Sequence, residues 1–182
     1  MIIQAMSDIA SPTPAGLNGI ATPLPHLGVM RAKGDDAASF LQGQLTQDVV
    51  LMKPGEARLA AFCNAKGRML ASFQVLKVAA DELLLVTSAD TLAATLKRLS
   101  MFVLRAKLKL SDATGDYAVW GQLGETPDLI AASADGAGAE AQNDAEKPAH
   151  RIALPAAGGV ARTLWLAPAV SALPAGVAPL TE

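Results

Sequence analysis

The chain has 182 residues and a formal net charge of −2, so no global basic field draws it to nucleic acid or anionic lipid. One cysteine and two histidines exclude an intrachain disulfide framework, a Cys-based zinc site and a His-rich metal centre. No apolar run approaches the roughly 20 residues of a membrane span, and Met1–Gly19 lacks the basic start and long apolar run of a signal peptide; the expected compartment is the cytoplasm.

Residues 1–25 hold Ser11, Pro12, Pro14, Gly16, Gly19, Pro23 and Pro25 with no hydrophobic period. They read as a flexible leader, and structure is expected to begin near Leu27. Leu27–Ala32 is a short strand candidate that Gly34 closes. Asp35 or Asp36 then suits the cap of a helix through Phe40 and Leu41, because a carboxylate there accepts first-turn N–H groups. Thr46 and Asp48 fall in a polar turn, and Pro54-Gly55 marks another.

Arg58–Cys63 and Arg68–Ala79 form the best hairpin of the chain, joined by a short loop that ends on Gly67. Leu83–Thr87 is apolar on both parities, as a strand covered on both faces would be. Ser88 or Asp90 starts a helix whose stripe is Leu92, Leu96 and Leu99. Lys97 and Arg98 lie toward its C-terminal end, where cations suit the helix dipole. Ala106–Leu110 alternates strictly and predicts a half-exposed strand, and Tyr117–Gly121 predicts another.

This order gives an α+β class: a mostly antiparallel sheet with helices on one face, spanning residues 26–123. A doubly wound sheet is excluded, because three successive strands are linked by turns too short for crossovers. Residues 124–150 are rich in Ala, Gly and acidic side chains, and read as a flexible linker. Residues 151–182 read as the incomplete start of a second α+β portion, with one strand at Thr163–Leu166. The Pro/Ala-rich end with no closing element leads to the expectation of a fragment.

Three segments carry candidate chemistry. Cys63, at a strand end, is either a small buried apolar residue or a reactive thiol. Asn64-Ala65-Lys66-Gly67-Arg68 is either a solvated hairpin turn or a cradle for an anionic ligand, through its cations and backbone N–H groups. Gln42–Asp48 is either a helix end with a fresh cap or a hydrogen-bonding wall for a heterocycle, since amides both donate and accept. No phosphate-loop motif is present, and His26 and His150 have no evident catalytic scaffold.

Together, Gly34–Val49 and Leu59–Met69 resemble the N-terminal segments of the YgfZ family, folate-binding relatives of the glycine cleavage T-protein, an aminomethyltransferase. Leu96–Lys107 is similar to the family's helix followed by a Lys-bearing strand. The resemblance implies a ferredoxin-like α+β unit, the N-terminal part of a ring of domains around a folate cavity. It implies tetrahydrofolate or a derivative as cofactor, with no metal held by this chain. Carried over to the matching positions, Gln44, Asp48, Asn64, Lys66 and Arg68 are candidate cavity-facing residues, with Cys63 adjacent. The implied function is that of an accessory factor for iron–sulfur enzymes, including tRNA-modifying ones, with folate and iron–sulfur enzymes or assembly factors as partners. Direct contact with nucleic acid or membrane is not expected.

Two departures qualify this. Aminomethyltransferases carry an acidic residue on the strand after the Gly turn, where this chain reads Met69-Leu70-Ala71-Ser72-Phe73. That argues against aminomethyl transfer and leaves enzymatic activity open. The family's Lys-Gly-Cys motif is absent, since the single cysteine is Cys63. A one-carbon transferase and a non-catalytic half-domain interaction module are therefore the alternatives.

Overall fold

Residues 20–124, 149–169 and 178–179 are described by a computed structural model. The elements are β1 (Ile20–Pro23), β2 (Leu27–Lys33), α1 (Ala37–Gln42), β3 (Ala57–Cys63), β4 (Met69–Ala79) and β5 (Glu82–Ser88). They continue with α2 (Ala89–Ser100), β6 (Lys109–Asp112), β7 (Tyr117–Leu123), β8 (His150–Ala157), β9 (Val160–Pro168) and β10 (Ala178–Pro179). The α+β class expected from the element order is the one that forms.

The strands make two sheets. The first has the order β3-β4-β5-β2-β6, and the second the order β10-β1-β7-β9-β8. Every described pairing is antiparallel except β1 with β10.

Strand alternation explains how the layers stack. On β5, Leu83 and Leu85 turn to one side and pack with Met30, Phe73 and Val75 beneath Leu41 of α1 and Leu99 of α2. Leu84 and Val86 turn to the other side and meet Val29, Leu76, Val119, Ile152 and Leu166. Both helices thus cover one face of the first sheet, and the second sheet covers the other. Leu83, Leu84 and Leu85 are each 0% exposed, which accounts for the unbroken apolar run on this strand.

The β3–β4 hairpin and the central position of β5 agree with the sequence reading. Ser88 starts α2 as expected, from its N-cap position, with no side-chain cap bond, and three details differ from the reading. Asp36 occupies the N-cap position of α1, but its carboxylate accepts the Lys107 N–H (2.7 Å) instead of a first-turn amide. The strand expected at Ala106–Leu110 forms at Lys109–Asp112, because residue 107 is tied to the start of α1 through Asp36. Ile20–Pro23, inside the expected leader, pairs with β7 as a strand too short to show a period.

The second sheet draws β1, β7, β8 and β9 from both sides of the expected 124–150 linker. Residues 125–148 of that linker lie outside the described residues. His150, at its expected end, opens β8 opposite Leu166.

Candidate functional site

The two segments that carry the family resemblance meet along the outer edge of β3. An isolated antiparallel bridge joins Leu45 to Phe62. The Thr46 N–H donates to the Ala61 carbonyl (3.0 Å), and Ala61 N–H donates to Thr46 Oγ1 (2.9 Å). Gln47 Nε2 donates to the Leu59 carbonyl (3.2 Å). The segment after α1 therefore caps an edge that would otherwise offer unpaired backbone groups.

The three glutamines there do different work. Gln42 Oε1 accepts the N–H groups of Val49 (2.6 Å) and Val50 (3.1 Å), and Gln47 is held by Leu59, so both stabilise the turn. Gln44 is half-buried, and its amide makes no side-chain hydrogen bond among the described residues. The register of the Leu45–Phe62 bridge sets Gln44 opposite Cys63.

Beyond Cys63 the hairpin loop is tightly organised. Asn64 Oδ1 accepts the N–H groups of Lys66 (2.9 Å) and Arg68 (3.0 Å). The Gly67 N–H donates to the Asn64 carbonyl (2.9 Å), and Gly67 takes φ +74°, a conformation that favours glycine. The Lys66 and Arg68 side chains are exposed and form no ion pair among the described residues. Cys63 is a free, half-buried thiol at a register shift that follows Phe62.

Gln44, Cys63, Asn64, Lys66 and Arg68 thus gather at one end of β3. Asp48 does not join them. Its Oδ1 accepts the Leu51 N–H (3.3 Å), and its carbonyl accepts from Arg58 Nη1 (3.3 Å). Arg58 and Cys63 are separated along β3 by roughly 17 Å at the usual strand rise. Asp48 therefore shapes the turn at the opposite end.

One feature of this end had no signal in the sequence. A cleft of about 370 Å³ opens between the start of β4 and α2, lined by Phe62, Leu70, Lys97, Arg98 and Met101 among others. The helical spacing of Lys97 and Arg98 was legible, but which element the helix packs against is a tertiary fact. Among the described residues, no group of three or more His, Cys, Asp or Glu side chains is placed to hold a metal ion. No described helix is long and apolar enough to cross a membrane.

A second polar cluster sits between the two sheets. Arg31 pairs with Glu82 (3.0 Å) and Asp116 (3.2 Å) and lies over the Tyr117 ring. The His150 ring stands 6.1 Å from that of Tyr117. Burial pushes the His150 pKa below its ordinary value, and the nearby Glu82 carboxylate offsets part of this.

The chain is 32% identical over 123 residues to the mitochondrial iron-sulfur cluster assembly factor IBA57 homolog of Mycosarcoma maydis, covering 59% of this chain and 30% of that protein. It is 28% identical over 88 residues to the tRNA-modifying protein YgfZ of Vibrio vulnificus, covering 48% of this chain and 27% of that protein. The chain spans about a third of the length of these curated relatives. In fold it is similar to the glycine cleavage system aminomethyltransferase T from Bartonella henselae, with a TM-score of 0.65 at 18% identity, over 84% of this chain and 43% of that one. Residues 21–131, from β1 past the end of β7, match the GCVT N-terminal domain, and the chain belongs to that family.

Proposed function

We propose that this chain is a tetrahydrofolate-binding, YgfZ-like accessory protein that supports iron–sulfur cluster assembly or maintenance and, through it, tRNA-modifying enzymes in the cytoplasm. The observation that carries this reading is the meeting of the two resemblance segments at one end of β3. There the amide of Gln44 and the cations Lys66 and Arg68, whose side chains have no hydrogen-bond or ion-pair partner among the described residues, flank the same strand terminus.

The chemistry suits a reduced folate. Its glutamate carboxylates take charge-assisted hydrogen bonds from Lys66 and Arg68. Its heterocycle offers donors and acceptors to the Gln44 amide. Asn64 acts by fixing the loop that presents the two cations, and Thr46 by holding the segment that delivers Gln44, while Asp48 shapes the turn at the other end of β3. Relatives named for iron–sulfur cluster assembly and tRNA modification support the accessory role. Ala71, 6% exposed on β4, lies in the stretch where aminomethyltransferases carry a carboxylate, which disfavours one-carbon transfer as the activity.

The test is calorimetric titration with folinic acid, a stable reduced folate. Lys66→Ala combined with Arg68→Ala should raise its Kd about tenfold or more, through the loss of two charged hydrogen bonds. Wild-type affinity in that variant overturns the assignment of these residues. No binding of folinic acid to the unaltered chain overturns the folate reading for this chain.

A further inference from the structure

We propose that the cleft between α2 and the start of β4 is a binding site for an amphipathic organic anion: an apolar, preferably aromatic body with a carboxylate, sulfonate or phosphate at one end. The assignment stands without the folate reading.

Three observations converge on it. First, the cleft holds about 370 Å³, within the range of small-molecule sites, and its surface is mostly apolar: Phe62, Leu70, Ala94 and Met101. Leu70 and Met101 stay 37% and 60% exposed at its rim, so the fold leaves this surface uncovered. A methionine there adapts its shape to a planar or irregular guest.

Second, Lys97 and Arg98 line the same cleft, and neither has an ion pair among the described residues. The positions three and four residues before them are Ala93, Ala94 and Thr95, so no carboxylate lies one turn away to neutralise them. Asp90 lines the cleft too, but it is eight residues from Arg98, roughly 12 Å along the helix axis. Two adjacent cations beside an apolar floor attract an anion whose body the floor can cover.

Third, the two ends of the cleft differ in polarity. Thr91 donates its hydroxyl to the Ser88 carbonyl (3.1 Å), so toward the cleft it offers only lone pairs, next to the Asp90 carboxylate. The far end therefore accepts hydrogen bonds while the near end supplies positive charge. A ligand with an anion at one end and an N–H or O–H donor at the other fits this polarity, and a cation or a neutral hydrocarbon does not.

The test uses 8-anilinonaphthalene-1-sulfonate, an apolar aromatic anion that fluoresces when it leaves water, titrated into the full 182-residue chain. Saturable binding at one site is expected, weakening as salt screens the cations. Lys97→Ala with Arg98→Ala should raise the probe Kd about tenfold or more. Met101→Asp should do the same by placing a like charge at the rim. Leu51→Asp, at an exposed leucine outside the cleft, should leave it unchanged. All four positions are exposed, so each variant should stay folded, with at most a small loss of stability from the altered charge at the C-terminal turn of α2; thermal midpoints are checked alongside.

Non-saturable binding, or an unchanged Kd in both cleft variants, overturns the proposal. Folinic acid then separates the ligand sources. Displacement of the probe makes a reduced folate an occupant of this cleft. Binding of folinic acid without displacement makes the cleft the site of a different anion. If folinic acid does not bind at all while the probe behaves as expected, the cleft assignment stands and the folate reading falls.

Discussion

Asn64 and Arg68 close the β3–β4 hairpin on each other: the Asn64 N–H donates to the Arg68 carbonyl over 2.9 Å, and Asn64 Oδ1 accepts the Arg68 N–H over 3.0 Å. The same Oδ1 takes the Lys66 N–H. One side chain therefore sets the direction of both loop cations. Asn64→Ala should cost about 1–2 kcal/mol of stability through the acceptor it removes, and should weaken folinic acid binding while both cations are still present. Asn64→Asp keeps the acceptor and should retain most of the stability. Urea denaturation with calorimetric titration checks both effects.

Leu84 is fully buried at the junction of the two sheets, next to Val119 and Leu166. Leu84→Ala should destabilise the chain by about 2–5 kcal/mol, since the cavity lies between two sheets that relax only partly. Leu104→Ala, at a side chain 86% exposed, should stay within about 0.5 kcal/mol of wild type. Chemical denaturation of the pair measures the contrast. Equal effects would refute the layered core.

Gly34 and Gly67 both adopt positive φ, at +140° and +74°, but their surroundings differ. A Cβ on Gly34 would run into the Lys107 carbonyl and Leu108 Cα, whereas one on Gly67 would meet open space. Gly34→Ala should therefore cost upwards of about 3 kcal/mol, combining strain with a backbone collision. Gly67→Ala should cost about 1–2 kcal/mol, from conformational strain alone. The ranking in urea midpoints is the check.

His150 makes stability depend on pH. Unfolded, its imidazole titrates near the ordinary 6.5, and burial lowers that value in the folded chain. As pH falls through 6.5 the unfolded state takes the proton first, so stability declines until the pH drops below the folded pKa. His150→Gln should flatten this dependence. Urea midpoints at pH 7.5 and 5.5 for both proteins test it, and an unchanged slope in the variant would exclude His150 as the cause.

The limits of reading the chain in one dimension show at particular residues. Asp36 was legible as a residue placed to cap α1, yet its carboxylate holds Lys107, seventy-one residues away. Nothing in the local pattern signals such a partner. Asp48 matched the family segment alongside Gln44, but the residues between them run antiparallel along β3, so one ends beside Cys63 and the other beside Arg58. Lys97 and Arg98 were explicable as cations at a helix C-terminus. Their place beside Phe62 and Leu70 arises only when α2 packs against the first sheet.

The chain by itself determined the local elements: the β3–β4 hairpin with its glycine turn, the doubly apolar β5, and the Leu92–Leu99 stripe of α2. Its motifs likewise determined the family. These are set by periodicity, turn chemistry and short-range spacing, which act within a few residues of each other. The tertiary structure alone decided that β5 has helices on one face and a second sheet on the other, because alternation marks a face as buried without naming what covers it. It also decided that Leu45 bridges Phe62, and so which candidate residues share a strand end. Contacts between distant segments depend on the packing of whole layers, and no local pattern records that.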